Sequence, residues 1–167
     1  MKRVMLAAAL ASLAAAAQAQ TAQAQTQSQA SAPLRAYGEP IRLEAAQAIM
    51  TAALDAARAA DLRMAIAIVE PTGEPVAFSR IDDTQYASVS LALAKARSAG
   101  RFRSPTASLE ERVTAGRTVM LAVEDAMPIG GGVPIVVDGR VIGAIGISGG
   151  TAAQDHEIAV AAIAAMR

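Results

Sequence analysis

Few side chains in this sequence could carry chemistry. The 167 residues include no Cys and one His. Thiol chemistry and Cys-held clusters are excluded, and a dedicated zinc site lacks its usual ligands. The sequence has no Gly-x-Ser-x-Gly elbow and no Walker-type phosphate loop. Gly143-x-x-Gly146 lies in an apolar run that reads as a strand, so it is not a dinucleotide fingerprint.

Four places remain. Gly149-Gly150-Thr151 stands where a helix should begin, and free N–H groups with the helix dipole can attract a carboxylate or phosphate there. The simpler reading is a capped helix start after a tight turn. His156 follows in the same helix. A neutral imidazole there could ligate a haem iron. Its neighbours Asp155 and Glu157 instead suggest a solvated face and an ordinary surface histidine. Lys95, Arg97, Arg101 and Arg103 gather positive charge near the end of an earlier helix, where it suits the dipole. Lys95 and Arg101 are the residues that could hold an anionic ligand. Lys95 sits among Leu91, Ala92 and Ala99, so it could equally snorkel its stem. Met127, before Pro128 and the Gly130-Gly131-Gly132 run, is the one methionine suited to test as an iron ligand. Thr114 and Thr118 are weaker candidates.

These residues need a scaffold. Ile41 to Ala60 alternates wet and apolar stripes at a helical period. Arg63 to Glu70 is apolar on both faces and reads as a central strand. Turn chemistry at Pro71 to Pro75 leads to a second strand, Val76 to Ile81. Tyr86 to about Phe102 is a helix with a covered middle. A short charged helix follows at Thr106 to about Gly116, and Thr118 to Met127 is ambiguous. Val133 to Asp138 and Arg140 to Ile147 form a hairpin, because Asp138-Gly139 suits a turn with two positive φ angles. Gly143 and Gly146 inside the return strand mark a bend or the close approach of a ligand or backbone. Thr151-x-x-Gln154 is a capping box opening a final helix, Ala152 to about Met166. The expected fold is α+β: a mainly antiparallel sheet of about five strands with helices packed on it.

Composition sets further bounds. Met1-Lys2-Arg3, an apolar stretch from Val4 to Ala17 and Ala17-Gln18-Ala19 read as a secretory signal over residues 1–19. It is too short for a stable membrane anchor. Residues 20–37 read as a flexible polar leader, and 38–167 as one folded domain. The expected location is periplasmic or secreted, with no membrane anchor after cleavage. Without Lys2 and Arg3 the chain carries 13 basic and 15 acidic residues. That balance, with only Tyr37, Phe78, Tyr86 and Phe102 as aromatics, argues against nucleic acid as a partner.

The run from Gly131 through Val133-Pro134-Ile135-Val136-Val137-Asp138-Gly139 to Gly149-Gly150-Thr151 and Gln154-Asp155 resembles the GlcG/HbpS family. Leu43-x-x-Ala46, Val76-Ala77-Phe78, Ala94-Lys95-Ala96-Arg97 and Pro105-Thr106 agree. The resemblance covers about Ile41 to Met166. It implies an antiparallel sheet flanked by helices, assembly into homo-oligomers up to octamers, and haem as a cofactor in some members. Some members are connected with haem breakdown or redox sensing, others with PduO-type corrinoid enzymes or glycolate utilisation. Many relatives carry His after the residue matching Gly73. Glu74 stands there here, and glutamate suits harder metals than haem iron. No metal beyond haem iron is expected.

The leading expectation is an exported haem-binding protein that stores, carries or senses haem. Lys95 or Arg101 would meet the propionates, His156 or Met127 the iron, and the glycine-rich strands would leave room for a flat ligand. A cofactor-free oligomeric module ranks second. An enzyme acting on haem or a small organic acid ranks third.

Overall fold

The computed structural model describes residues 34–166. The expected signal and nearly all of the leader lie outside them. Among the described residues, no helix is long and apolar enough to cross a membrane.

The elements follow in the order α1 (Leu43–Ala59), β1 (Ala65–Val69), β2 (Pro75–Arg80), α2 (Ala87–Phe102), α3 (Thr106–Thr114), a 3₁₀ turn (Thr118–Ala122), β3 (Gly132–Val137), β4 (Arg140–Ser148) and α4 (Ala152–Ala164). One sheet of four strands, ordered β2-β1-β4-β3, is antiparallel throughout. That is one strand fewer than expected. What the chain adds before α1 is a single parallel bridge, Tyr37 to Val141, with Ala36 and Gly38 bonded to Val141. Tyr37, expected in the leader, therefore sits on the sheet.

Every residue of β1 is buried, as its two apolar faces require. Its Met64-Ile66-Ile68 face joins Ile135, Ile145 and Ile147 beneath α1 and α4. Its other face, Ala65-Ala67-Val69, meets Ala92, Ala96 and Ala99 of α2. The sheet is thus covered on both sides, by large side chains on one and by small ones on the other.

Gly146 of β4 and Gly132 of β3 are explained by this second contact, whereas a Cβ on Gly143 would meet the Val69 carbonyl and Ile41 instead. A Cβ on Gly146 would stand 2.1 Å from the carbonyl oxygen of Ala92 and 2.4 Å from the amide nitrogen of Ala96. A Cβ on Gly132 would stand 2.3 Å from the carbonyl oxygen of Lys95. The backbone of α2 fills the space that the sequence left open for a flat ligand. Asp138 and Gly139 have φ of 49° and 73°, the left-handed pair that the hairpin demands.

Candidate functional site

Helix α4 begins after Gly150, and its cap is built by the protein itself. The Gln154 N–H donates to Thr151 Oγ1 at 3.3 Å, and the Thr151 N–H donates to Gln154 Oε1 at 3.0 Å. The Gly150 N–H donates to Asp155 Oδ1 at 2.9 Å. An internal carboxylate thus occupies the place where Gly149-Gly150-Thr151 were expected to receive a ligand. Gly149 is required for packing: a Cβ there would stand 2.2 Å from the carbonyl oxygen of Arg63.

Asp155 is not on a solvated face. It is 2% exposed, and its Oδ2 accepts from Lys95 Nζ at 2.7 Å. Lys95 is 1% exposed and also donates to the Ile147 carbonyl at 3.0 Å. Its ammonium is buried on these two partners rather than snorkelled to solvent. Burial pushes the Asp155 carboxyl above its ordinary value, while the hydrogen bonds from Lys95 and Gly150 and the ammonium charge pull it back. The pair ties α2, the end of β4 and the start of α4 together. Gly131 passes beside it, where a Cβ would stand 3.0 Å from Lys95 Nζ. The sequence reading missed this pairing; its one visible signal was an acidic residue in a first helical turn behind two glycines.

His156, the next residue, turns the other way. It is half-buried and lines a groove of about 630 Å³ between α3 and α4. The walls include Ala107, Gly130, Ala152 and Ala153, with Glu110, Glu111 and Thr114 adding polar groups. Glu110 Oε2 accepts from the Gly130 N–H at 2.8 Å, and Thr114 Oγ1 donates to the Glu110 carbonyl at 2.9 Å. His156 Nδ1 is buried and has no hydrogen-bond partner among the described residues.

Arg101 and Met127 lie elsewhere. Arg101 donates from Nε to the Thr72 carbonyl at 2.6 Å and pairs with Asp125. It lines a cavity of about 440 Å³ with Tyr37, Pro71 and Thr72. Met127 lines a separate cavity of about 230 Å³ with Arg97 and Asp125. Asp125 therefore links Arg101 to the neighbourhood of Met127. Neither residue lines the groove of His156. Among the described residues, no group of three His, Cys, Asp or Glu side chains could hold a metal ion.

Fold and sites define a small α+β protein: an antiparallel sheet between helices, an internal ion pair, and an alanine-walled groove with one imidazole. A family model described as "Haem degrading protein HbpS-like" matches residues 41–164, and the chain belongs to that family. It is 38% identical over 103 residues to Protein GlcG of Escherichia coli (strain K12), covering 62% of this chain and 77% of that one. A crystal structure of a PduOC:heme complex superposes with a TM-score of 0.69 at 30% identity, covering 75% of this chain and 94% of the other. The crystal structure of HbpS gives a TM-score of 0.71 at 26% identity, covering 76% and 90%. The likeness runs through the whole sheet and its helices.

Proposed function

We propose that this chain is an exported haem-binding protein, acting in the periplasm or outside the cell to store, carry or sense haem, as a homo-oligomer of up to eight subunits. Haem binding in its family supports the reading, together with a relative of 30% identity crystallised with haem. The observation that carries it is His156: the only imidazole of the chain, lining an alanine-walled groove.

The residues present fit the group. A groove of about 630 Å³ is in the range of cofactor sites, and alanine and glycine walls suit a flat apolar ring. His156 would hold the iron. Ala107, Ala152 and Ala153 would exclude water from the ring. The lining carries Glu110 and Glu111 and no cation, so solvent rather than a basic side chain would meet the propionates. Bound haem supplies an iron centre for redox sensing or gas binding. Lys95 is committed to Asp155 and takes no part. Met127 and Arg101 line other cavities, which makes them controls.

Haemin titration of a chain beginning at Gln20, followed by absorbance, tests the proposal. A saturable Soret shift is expected, at one haem per subunit or per pair, lost in His156→Ala and kept in Met127→Ala and Arg101→Ala. No saturable shift in folded protein would overturn it and leave the cofactor-free oligomeric module. Haem breakdown is a second reading, supported by the family's description. It predicts that the Soret band bleaches under reductant, faster than for free haem.

A further inference from the structure

The β1–β2 turn is shaped around an arginine that the haem reading does not use. Gly73 has φ +98°, and a Cβ there would stand 2.7 Å from Arg97 Cγ. The turn therefore closes directly on the stem of Arg97, in the C-terminal half of α2. Three acidic residues lie near this basic cluster: Glu70 lines Arg101's cavity and accepts from Thr72 Oγ1, while Asp125 and Glu74 face the arginines and are unequally engaged. Asp125, held at φ +62°, pairs with Arg101, whose Nε is also fixed by the Thr72 carbonyl. Arg97 is left with Glu74, whose Oε1 is 3.8 Å from Arg97 NH2, beyond hydrogen-bond reach. Glu74 is 64% exposed and free to swing away. Arg97 Nε is buried and has no acceptor among the described residues. That nitrogen lies against the Gly73 turn, so a ligand would meet the terminal NH1 and NH2 groups of a side chain that is 39% exposed.

The head of Arg97 lines a cavity of about 230 Å³, closed by Ala94, Asp125, Ala126 and Met127. Its floor is fixed, because the Met127 N–H donates to Ser98 Oγ at 3.1 Å. The volume equals that of about seven or eight liquid waters, the size of a short aliphatic acid. The guanidinium fork matches a planar carboxylate in two parallel hydrogen bonds. With Asp125 neutralising Arg101, Arg97 offers one unmatched positive charge once Glu74 moves. That favours a monoanion over a dianion such as phosphate. Ala94, Ala126 and the Met127 side chain give the short apolar tail a place to rest.

We infer that Arg97, with the Asp125–Met127 turn, forms a binding site for a small organic monocarboxylate, and that Glu74 is its displaceable internal occupant. The site is separate from the groove of His156, so it stands or falls without the haem reading.

Arginine labelling by phenylglyoxal on the haem-free full chain, read peptide by peptide, tests it with acetate and butyrate as probes. At constant ionic strength, either acid should slow the labelling of Arg97 several-fold and saturably, while Arg58 on α1 labels at an unchanged rate. In Glu74→Gln, half-protection should come at several-fold lower acid. Arg97→Lys should keep its unfolding midpoint in buffer and lose the midpoint increase that butyrate gives the parent chain. Equal protection by chloride, or no protection at acid concentrations on the order of 10 mM, would overturn the site. Arg97 that fails to label at all would overturn it too, because the side chain would then be covered. Inorganic phosphate protecting at lower concentration than the acids would overturn the carboxylate assignment. An unchanged half-protection in Glu74→Gln would overturn the role of Glu74.

Discussion

Lys95 and Asp155 are each nearly inaccessible to water, and among the described residues each is the other's only ion-pair partner. Removing one partner strands a buried charge. Lys95→Met or Asp155→Leu should each lower unfolding free energy by about 3–5 kcal/mol, measured by urea denaturation. The double substitution should recover much of that loss, since neither charge is then left alone. Recovery will be incomplete, because the Gly150 N–H and the Ile147 carbonyl keep no partner. The sequence could not show this pair. A lysine flanked by Leu91, Ala92 and Ala99 looks the same whether its stem snorkels or its ammonium is buried. An aspartate 60 residues away declares itself only once β4 is paired with β1. His156 was misjudged as a surface residue for the same reason: the acidic neighbour that suggested solvent turns inward to Lys95.

At the level of elements, signals confined to one or two turns were legible. Asp138-Gly139 stated its hairpin, and Thr151-x-x-Gln154 stated the start of α4 with both capping bonds formed. Helix α1 followed from the spacing of Leu43, Ala46, Met50, Ala53 and Ala57; the last four are buried and Leu43, at the helix start, is exposed. The pairing of β1 with β4 had no local signal, since it joins segments from opposite halves of the chain. Gly143 and Gly146 gave half a message: something approaches, without saying what. At Gly146 it proved to be the backbone of α2, and at Gly143 the Val69 carbonyl with the Ile41 side chain. Gly146→Ala should therefore force α2 off the sheet or bend β4. A loss of about 3 kcal/mol or more is expected in denaturant unfolding, at the upper end for overpacked sites. An alanine that leaves the unfolding midpoint unchanged would show that α2 can retreat freely.

For the whole molecule, the ordered chain extends a little before the family's match, which starts at residue 41. The Tyr37 hydroxyl donates to the Arg101 carbonyl at 2.7 Å, and the Arg103 guanidinium carbon lies 4.8 Å from the centre of the Tyr37 ring. A chain beginning at Arg35 should unfold at the same midpoint as one beginning at Gln20. A chain beginning at Gly38 should lose about 1–3 kcal/mol, from the Tyr37 bond, its stacking and the bridge to Val141. Thermal unfolding of the three chains side by side decides it. Equal midpoints for all three would mean that Tyr37 adds nothing. The sequence reads Ala36 and Tyr37 as leader, because they carry no strand pattern and join the sheet through a single bridge.

The two faces of the sheet differ in what holds them. Isoleucines and methionines beneath α1 and α4 depend on expelling water, a drive that fades on cooling. Beneath α2 the contact is alanine and bare backbone, with little apolar area to hide and many atoms at van der Waals distance. That attraction does not weaken in the cold. Chilling should therefore loosen α1 and α4 first, while α2 stays seated on the sheet, so the molecule has a warm side and a cold-hardy one.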